Sequence, residues 1–221
     1  MERTMICGVD EAGRGPVLGP MVVAAVMLDD DGPLRKMHVR DSKKLSPKQR
    51  ERLASEIEKV ATVELAIIPA EDIDEMRRHM SLNEFEARVF ASLIDRLKPD
   101  KAYVDAADVN EERFQDMIRS GLSCSPDLFC CHRADDIYPV VSAASIIAKT
   151  QRDRLIADIQ KEIKQPIGSG YASDPVTTAF LEKWLKENKD YPPHTRKSWA
   201  TAKKALMLAK NSKLTDWSDK E

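Results

Sequence analysis

The beginning of the chain most strongly limits its fold, because two apolar segments flank a glycine-rich stretch there. Met5–Val9 is short and apolar, and Met21–Leu28 carries no polar side chain. Runs of this length and composition are typical of strands buried in a sheet. The glycine-rich stretch between them and the Asp29–Pro33 turn after them favour an antiparallel pair. We therefore expect a sheet that begins with two adjacent antiparallel strands.

Later segments alternate between strand and helix patterns. Strands are predicted at Val60–Ile68, Ala102–Asp105 and Leu128–Cys131. Helices are predicted at Pro47–Lys59, Ala70–Met76, Leu82–Leu97, Asn110–Arg119, Ile137–Ile163, Val176–Asn188 and Thr195–Lys210. Capping boxes mark two of the helix starts, at Ser46 and at Ser81. The alternation predicts an α/β domain with a mixed sheet, whose later strands are joined by helical crossovers.

Carboxylates follow three of the predicted strands. Asp10 and Glu11 come after the first strand, Asp105 ends a later one, and Asp135 lies between the next strand and a buried helix. The carboxyl ends of neighbouring parallel strands meet at one edge of a sheet, which is the usual ligand position in open α/β sheets. Each acid also has a structural interpretation: solvated acids at a turn, an Asx turn, or a helix cap. As a set, they indicate a shared site.

Such a cluster suits hard divalent ions of the Mg²⁺ or Mn²⁺ kind, which prefer oxygen ligands. Two ions about 3.5–4 Å apart could bind the attacking water and the leaving oxygen of a phosphodiester hydrolysis. Gly13 and Gly15 follow the first acid pair and permit backbone angles closed to other residues. Their N–H groups could therefore approach an anion or a sugar closely.

Basic residues are concentrated near the C-terminus, although the net charge of the chain is −2. Nine basic and two acidic residues lie between Lys183 and Lys213, with Trp184 and Trp199 among them. This stretch favours a surface that binds a nucleic-acid duplex, and a helical hairpin with a charged outer face would look similar.

Cysteine spacing and hydropathy indicate a cytoplasmic protein. The cysteines, Cys7, Cys124, Cys130 and Cys131, form no C-x-x-C pair, so we expect free thiols. The longest apolar run, Met21–Leu28, is too short to cross a bilayer. The N-terminus lacks a basic segment followed by an apolar signal core.

Long motifs along the chain carry a family resemblance. They are Gly8–Pro20, Asp41–Leu45, Tyr103–Asp105, Ala134–Asp135 with Tyr138–Lys149, and Gly168–Pro175. Together they resemble type 2 ribonuclease H, ribonuclease HII, and are most similar to its archaeal branch. The resemblance spans about residues 5–200 in family order. It implies an RNase H-like mixed sheet flanked by helices, with a catalytic domain over 1–165 and a small helical portion and polar tail over 166–221.

The resemblance also implies an activity. Enzymes of this family cleave the RNA strand of RNA/DNA hybrids and cut on the 5′ side of ribonucleotides embedded in duplex DNA, leaving a 3′-hydroxyl and a 5′-phosphate. They use Mg²⁺ or Mn²⁺, with two ions expected in the site during catalysis, and serve DNA replication and repair.

The matching motifs imply site residues. The catalytic, metal-binding acids are Asp10, Glu11, Asp105 and Asp135. Asp135 is chosen over Asp136 because the family's acid precedes the motif's tyrosine, here Tyr138, by three residues. The resemblance assigns Gly13, Arg14 and Gly15 to the ribose 2′-hydroxyl and the adjoining phosphates, and Tyr171 to the deoxyribose or ribose step at the cut. Lysines expected to contact phosphates are Lys43, Lys44 and Lys149.

The sequence departs from the family pattern in small ways. Ala172 stands where a proline is common, and His194–Thr195 replaces a more basic pair. Asn211, Leu214 and Trp217 have the spacing of a sliding-clamp docking motif, but its glutamine and second aromatic residue are missing. We therefore expect a disordered tail, with a clamp as a possible partner, and a monomeric protein.

Two other classes of function compete with this interpretation. An actin-like or sugar-kinase-type ATPase has a similar turn after its first strand, but needs two such lobes, and no second glycine-rich phosphate turn is present. A non-catalytic hybrid-binding module would gain nothing from a carboxylate cluster facing a polyanion. ATP turnover without nuclease activity would indicate the first class, and binding without cleavage the second.

Overall fold

A computed structural model describes residues 4–39 and 45–218, with residues 211–218 as backbone only. The strands are β1 (Ile6–Ala12), β2 (Met21–Leu28), β3 (Thr62–Ile68), β4 (Lys101–Asp105) and β5 (Asp127–Cys131). The helices are α1 (Gly32–Lys36), α2 (Pro47–Val60), α3 (Ala70–Met76), α4 (Leu82–Leu97), α5 (Glu111–Gly121), α6 (Ala134–Ile137), α7 (Pro139–Ile163), α8 (Pro175–Asn188) and α9 (Ala200–Ser218).

The strands form one mixed sheet in the order β3-β2-β1-β4-β5. β1 pairs antiparallel with β2, while the β1–β4 and β4–β5 pairs are parallel. This arrangement confirms the predicted α/β class, with an antiparallel start and parallel strands joined by helical crossovers. The parallel pairing brings the carboxyl ends of β1, β4 and β5 to the same edge of the sheet.

The chain divides into two compact units that are interleaved in sequence. The first consists of Met1–Ala12, Val22–Ile67 and His79–Arg152, and the second of Gly13–Met21, Ile68–Arg78 and Asp153–Glu221. The division predicted at residue 165 stays a prediction about how the chain is organised.

Helices α4 and α5 pack together in the first unit. The rings of Phe90 and Phe114 meet edge to face, with centroids 5.6 Å apart, and both side chains are fully buried. The predicted capping boxes are confirmed: Ser46 pairs with Gln49 and Ser81 with Glu84. Capping interactions of this kind contribute about 1 kcal/mol each, so they fix where these helices begin.

The second unit has a core of its own. Buried apolar side chains come from the segment after β1, from the second half of α7 and from α8 and α9; they are Val17, Leu18, Ile156, Ile159, Ile167, Phe180, Leu181, Leu185, Ala202 and Ala209. Gly19 has a φ of +86°, and a Cβ there would lie 2.5 Å from Cδ1 of Ile156. Only a glycine fits this approach.

Two helices differ from their predicted bounds. Asp135 lies in the one-turn helix α6, whereas the sequence placed it directly before the long buried helix, which begins at Pro139. The last helix begins at Ala200 rather than Thr195, because Thr195 pairs with Leu18 in an isolated antiparallel bridge. In this bridge the N–H of Gly19 donates to the carbonyl of His194, and the N–H of Arg196 donates to that of Val17. The same helix continues to Ser218, past the predicted end at Lys210.

Strand β1 is longer than predicted. Asp10 and Glu11 lie within it and pair with Ala24 and Val23 of β2, so the acids do not follow the strand end. The antiparallel ladder with β2 continues after the parallel pairing with β4 stops, and this holds the acids in extended backbone. None of the described helices has both the length and the apolar character needed to cross a bilayer.

Close packing between β1 and α7 depends on a glycine. A Cβ at Gly8 would lie 2.3–2.4 Å from backbone atoms of Val140 and Val141, in the first turn of α7. Backbone atoms cannot yield as the end of a flexible side chain can, so any larger residue would push the helix away from the strand. Gly8 thus lets the two elements touch two residues before Asp10.

We expect Gly8→Ala to lower the free energy of unfolding by about 1–3 kcal/mol, which corresponds to several degrees of Tm. Urea and thermal unfolding measure the change. The control is Gly121→Ala, whose added Cβ would have the Cβ of Ala91 as its nearest neighbour, at 3.1 Å. An effect no larger at residue 8 than at residue 121 would contradict the described packing.

Candidate active site

Two of the predicted acids lie at the same edge of the sheet. The last pair in the β1–β4 ladder joins Val9 to Val104, and the next residues along the two parallel strands are Asp10 and Asp105. The structure therefore brings together two carboxylates that are 95 residues apart in sequence. Glu11 is adjacent to Asp10 and half-buried.

Asp10 is the most strongly perturbed of these acids. It is 4% exposed, and burial raises the pKa of its carboxyl well above the ordinary range. Repulsion from Glu11 and Asp105 raises this pKa further, whereas the charge of Lys149 and a hydrogen bond from Ser145 lower it. A buried carboxylate beside two others is unstable as an anion unless a cation compensates it.

A chain of hydrogen bonds from α7 reaches Asp10. The ammonium of Lys149 donates to Oγ of Ser145 at 2.5 Å, one helical turn away, and Ser145 bonds to the Asp10 carboxylate. The backbone N–H of Glu11 also donates to Asp10 Oδ1, at 2.7 Å. Sequence reasoning missed Ser145, although a serine four residues before a lysine within an apolar helical stretch was a signal for it.

Asp135 is placed beside β4 by its neighbours. It is 4% exposed, and the N–H of the preceding residue, Ala134, donates to Asp105 Oδ1 at 3.0 Å. The ring of Tyr138, which follows α6, packs at a tilt against the ring of Tyr103 in β4, with ring centroids 4.3 Å apart. Convergence of the Asp135 carboxylate with the other three stays a prediction.

The neighbouring acid, Asp136, has a different environment. Its carboxylate accepts a hydrogen bond from Nε of Arg133 at 2.8 Å, in an ion pair on the surface of α6. This pairing gives Asp136 a structural role and agrees with the choice of Asp135 for the site.

The loop after Asp105 is anchored by a further acid, Asp108. Its buried carboxylate accepts hydrogen bonds from Nε of Arg113 at 3.0 Å, the amide of Asn83 at 2.6 Å and the N–H of Asn110 at 2.9 Å. The bonds from Arg113 are the largest cause of a pKa lowered to about 2. Sequence reasoning missed this residue, whose pattern is that of an ordinary loop acid.

The donor chemistry of the acids fits a hard cation. Among the described residues, no three His, Cys, Asp or Glu side chains already form a metal-binding group. The fit therefore depends on the donors themselves, which are carboxylate oxygens; burial, and then repulsion from like charges, raises the pKa of the Asp10 carboxyl. Oxygen ligands of this kind suit Mg²⁺ or Mn²⁺.

The second unit brings together the residues predicted to read the sugar. Gly13 has a φ of +84°, and Gly15 is exposed. A Cβ on Gly15 would lie 3.8 Å from Cε1 of Tyr171, whose side chain is 38% exposed. The carbonyl of Gly170 accepts the N–H groups of Val17 and Leu18 at 2.9 and 3.2 Å, which ties the tyrosine loop to this turn.

The structure describes only some of the basic residues that were predicted to contact nucleic acid. Lys43 and Lys44 lie outside the described residues, and Lys149 lies beside Ser145 near the acids. In the C-terminal stretch the lysines at 183, 186, 189, 197, 203, 204 and 210 are exposed. Arg196 is fully buried, however, and Trp184 and Trp199 pack against the apolar core of the second unit. Arg196 therefore belongs to the protein interior, and the two tryptophans are partly buried against the core.

Comparison with known proteins gives matches over nearly the whole chain. Residues 7–202 match the family model described as Ribonuclease HII. A ribonuclease HII from Methanoregula boonei is 48% identical over 213 residues, which cover 96% of this chain and 100% of the relative.

Solved structures of archaeal proteins match the same fold. The crystal structure of the ribonuclease H2 from Pyrococcus horikoshii OT3 has a TM-score of 0.87 and 42% identity, covering 94% of this chain and 99% of that one. The ribonuclease HII chain in a PCNA complex from Archaeoglobus fulgidus has a TM-score of 0.85 and 41% identity, covering 90% and 96% of the two chains.

Because the pKa of Asp108 is depressed in the folded protein, its stabilising effect is complete above the unfolded pKa of about 3.9 and is lost as pH falls toward about 2. We expect Asp108→Asn to lower the free energy of unfolding at pH 7 by about 1–3 kcal/mol. The difference from the unsubstituted protein should shrink between about pH 4 and pH 2.

Urea unfolding over this pH range measures the effect. Asp116→Asn is the matched control, because Asp116 is exposed on α5 and its pairing with Arg119 is a surface contact. A difference at residue 108 that stays constant down to pH 2 would show that its charge is not what stabilises the loop.

Proposed function

The chain belongs to the ribonuclease HII family, and from this premise we propose that it is a divalent-metal-dependent enzyme that also cuts DNA duplexes at embedded ribonucleotides. Ribonucleases of this family are hydrolytic nucleases that act on the RNA strand of RNA/DNA hybrids. The finer proposal is a cut on the 5′ side of the ribonucleotide, which leaves a 3′-hydroxyl and a 5′-phosphate.

The observation that carries this proposal is the buried Asp10 carboxylate, which Glu11 and Asp105 repel. Such a group is stabilised by a cation, and the proposed ligands of Mg²⁺ or Mn²⁺ are Asp10, Glu11, Asp105 and Asp135. When bound, a divalent ion, or a pair of them, supplies Lewis-acid stabilisation of phosphate charge and a more acidic water.

The protein's own residues position this chemistry. The Glu11 N–H and the Ser145 hydroxyl hold Asp10 in one orientation, and the N–H of Ala134 holds Asp105. Fixed carboxylates lose no orientational freedom when the scissile phosphate is bound, which lowers the barrier. The reaction adds water at phosphorus and breaks the bond to the 3′-oxygen of the preceding nucleotide.

The proposed reading of the sugar depends on the Gly13–Gly15 turn and on Tyr171. A 2′-hydroxyl is the group that distinguishes RNA from DNA, and a backbone made approachable by glycine can contact it whatever the base is. The tyrosine ring lies against Gly15 and is exposed enough to contact the neighbouring sugar. The proposed phosphate contacts are Lys43, Lys44 and Lys149.

The proposal extends to location and partners. The Archaeoglobus fulgidus relative was solved in complex with PCNA. We propose that this chain also binds a sliding clamp, through Asn211, Leu214 and Trp217 on the α9 backbone, and that it acts as a cytoplasmic monomer in DNA replication and repair. The side chains of this segment lie outside the described residues.

We expect Asp10→Asn to reduce kcat on an RNA/DNA hybrid by about three orders of magnitude or more, because several kcal/mol of transition-state stabilisation depend on the ligand set. Hybrid affinity should stay near that of the unsubstituted protein, since duplex binding depends on phosphate contacts. Cleavage and binding assays measure the two quantities separately. Asp116→Asn, at an exposed acid, is the control and should leave kcat unchanged. Unchanged turnover in Asp10→Asn would contradict the proposed catalytic role of Asp10.

We expect Tyr171→Ala to lower kcat/KM about tenfold or more for a duplex with a single ribonucleotide, because the ring beside Gly15 is lost. Tyr171→Phe keeps the ring and is the matched variant, in which most of the activity should remain. Steady-state cleavage of a labelled duplex measures both. Equal activity of the alanine variant would show that Tyr171 does not read the sugar.

A further inference from the structure

The carbonyl groups of the Gly13–Gly15 turn accept hydrogen bonds from two side chains that follow α8. Arg196 donates its Nη2–H to the carbonyl of Gly13 at 2.6 Å and its Nη1–H to that of Arg14 at 2.8 Å. Trp199 donates its Nε1–H to the carbonyl of Gly15 at 3.2 Å. Three consecutive carbonyls are thus held by groups 180 or more residues away in sequence.

This arrangement sets the direction of the N–H groups in the turn. A trans peptide is planar, so the N–H of each residue points opposite to the carbonyl of the residue before it. The described peptide bonds are all trans. The N–H groups of Arg14 and Gly15 therefore point away from the Arg196 guanidinium, and the third peptide leads into Pro16, which has no N–H.

Arg196 is built into the protein as a buried cation. Its side chain is 0% exposed, its Nε–H donates to the carbonyl of Gly19 at 3.0 Å, and its guanidinium lies 4.9 Å from the ring centre of Trp199. The planar guanidinium fork provides several donors in fixed directions, which an ammonium does not. A buried positive charge behind the turn also makes its outer side more favourable for a phosphate.

We propose that Arg196, together with Trp199, is a positioning residue for ribose recognition. By holding the carbonyls inward, the pair presents the N–H groups of Arg14 and Gly15 to the 2′-hydroxyl and the adjoining phosphate. This inference rests on the proposed function, because it explains how the turn keeps the conformation that reads the sugar. The two residues themselves do not touch the substrate.

The segment that carries Arg196 has backbone anchors of its own. The carbonyl of His194 accepts the N–H of Gly19 at 2.8 Å, and the N–H of Arg196 donates to the carbonyl of Val17 at 2.9 Å. Asp74 accepts the N–H groups of the next two residues, at 2.6 and 3.0 Å. A change confined to the guanidinium or to the indole nitrogen therefore leaves this backbone held.

The test is a ratio of affinities measured in Asp10→Asn protein, which we expect to bind the duplex without cutting it. For each variant, Kd is measured for a DNA duplex with one ribonucleotide and for the same duplex without it. We expect Arg196→Lys to reduce this preference about tenfold, since it loses the fork, and Trp199→Phe to reduce it severalfold, since it loses one donor. Affinity for the all-DNA duplex should stay within about twofold.

Arg77→Ala is the matched control. Its guanidinium lies 4.6 Å from the ring centre of Trp199 but donates to Ser198 rather than to the turn. This variant should keep the full preference. Trp199→Phe is the milder change, so the test remains decisive if Arg196→Lys does not fold.

The outcomes distinguish the proposed reading of the sugar from the positioning role of Arg196 and Trp199. An Asp10→Asn parent with no preference for the ribonucleotide would overturn the proposed reading of the sugar and this inference with it. A clear preference in the parent that persists unchanged in Trp199→Phe and in folded Arg196→Lys would overturn this inference alone. A loss of preference in both variants, with Arg77→Ala unaffected, is the result we expect.

Discussion

The properties of the candidate site follow from the burial of the Asp10 carboxylate in β1, beside other acids. An isolated buried carboxylate is strongly disfavoured, and Glu11 and Asp105 make its ionisation harder still. The fold imposes this arrangement: the antiparallel ladder with β2 extends the strand through the acids, and parallel pairing brings Asp105 level with Asp10. An ionised carboxylate there is therefore unfavourable by itself and would be stabilised by a cation, which supports the proposed metal site.

Local patterns in the sequence predicted most of the fold. The helix starts at Ser46 and Ser81 were predicted correctly because a capping box is formed by residues within four positions of each other. Strand β2 was predicted correctly because its run of apolar residues is not interrupted by any polar side chain. The end of β1 was misplaced because acids usually end a buried strand, whereas pairing with β2 holds these in the ladder. The break between α6 and α7 was missed although Pro139 signals it, because a residue before proline disfavours the helical conformation and Tyr138 is extended.

The residues of the candidate site could be predicted where they belong to a continuous motif. They could not be predicted where their contacts are with residues far away in the sequence. Asp10, Glu11 and Asp105 follow apolar runs that read as strands, so the order of runs and acids along the chain suggested that they meet. Arg196 looked like part of a basic surface, because neighbouring lysines resemble it in sequence, and only tertiary contacts show that it is buried under the Gly13–Gly15 turn. The residues around Arg196 in the sequence give no sign that its side chain contacts a turn so far away in the chain.

We propose that the acids hold divalent ions against a phosphate beside a ribose, and one assay tests this directly. A gel assay of a labelled DNA duplex with one ribonucleotide, run with Mg²⁺ and with excess chelator, tests cofactor and substrate together. We expect a single cut on the 5′ side of the ribonucleotide with Mg²⁺, no cut with chelator, and recovery when Mg²⁺ is restored in excess. Undiminished cleavage in chelator, or an intact ribonucleotide strand in Mg²⁺, would contradict it.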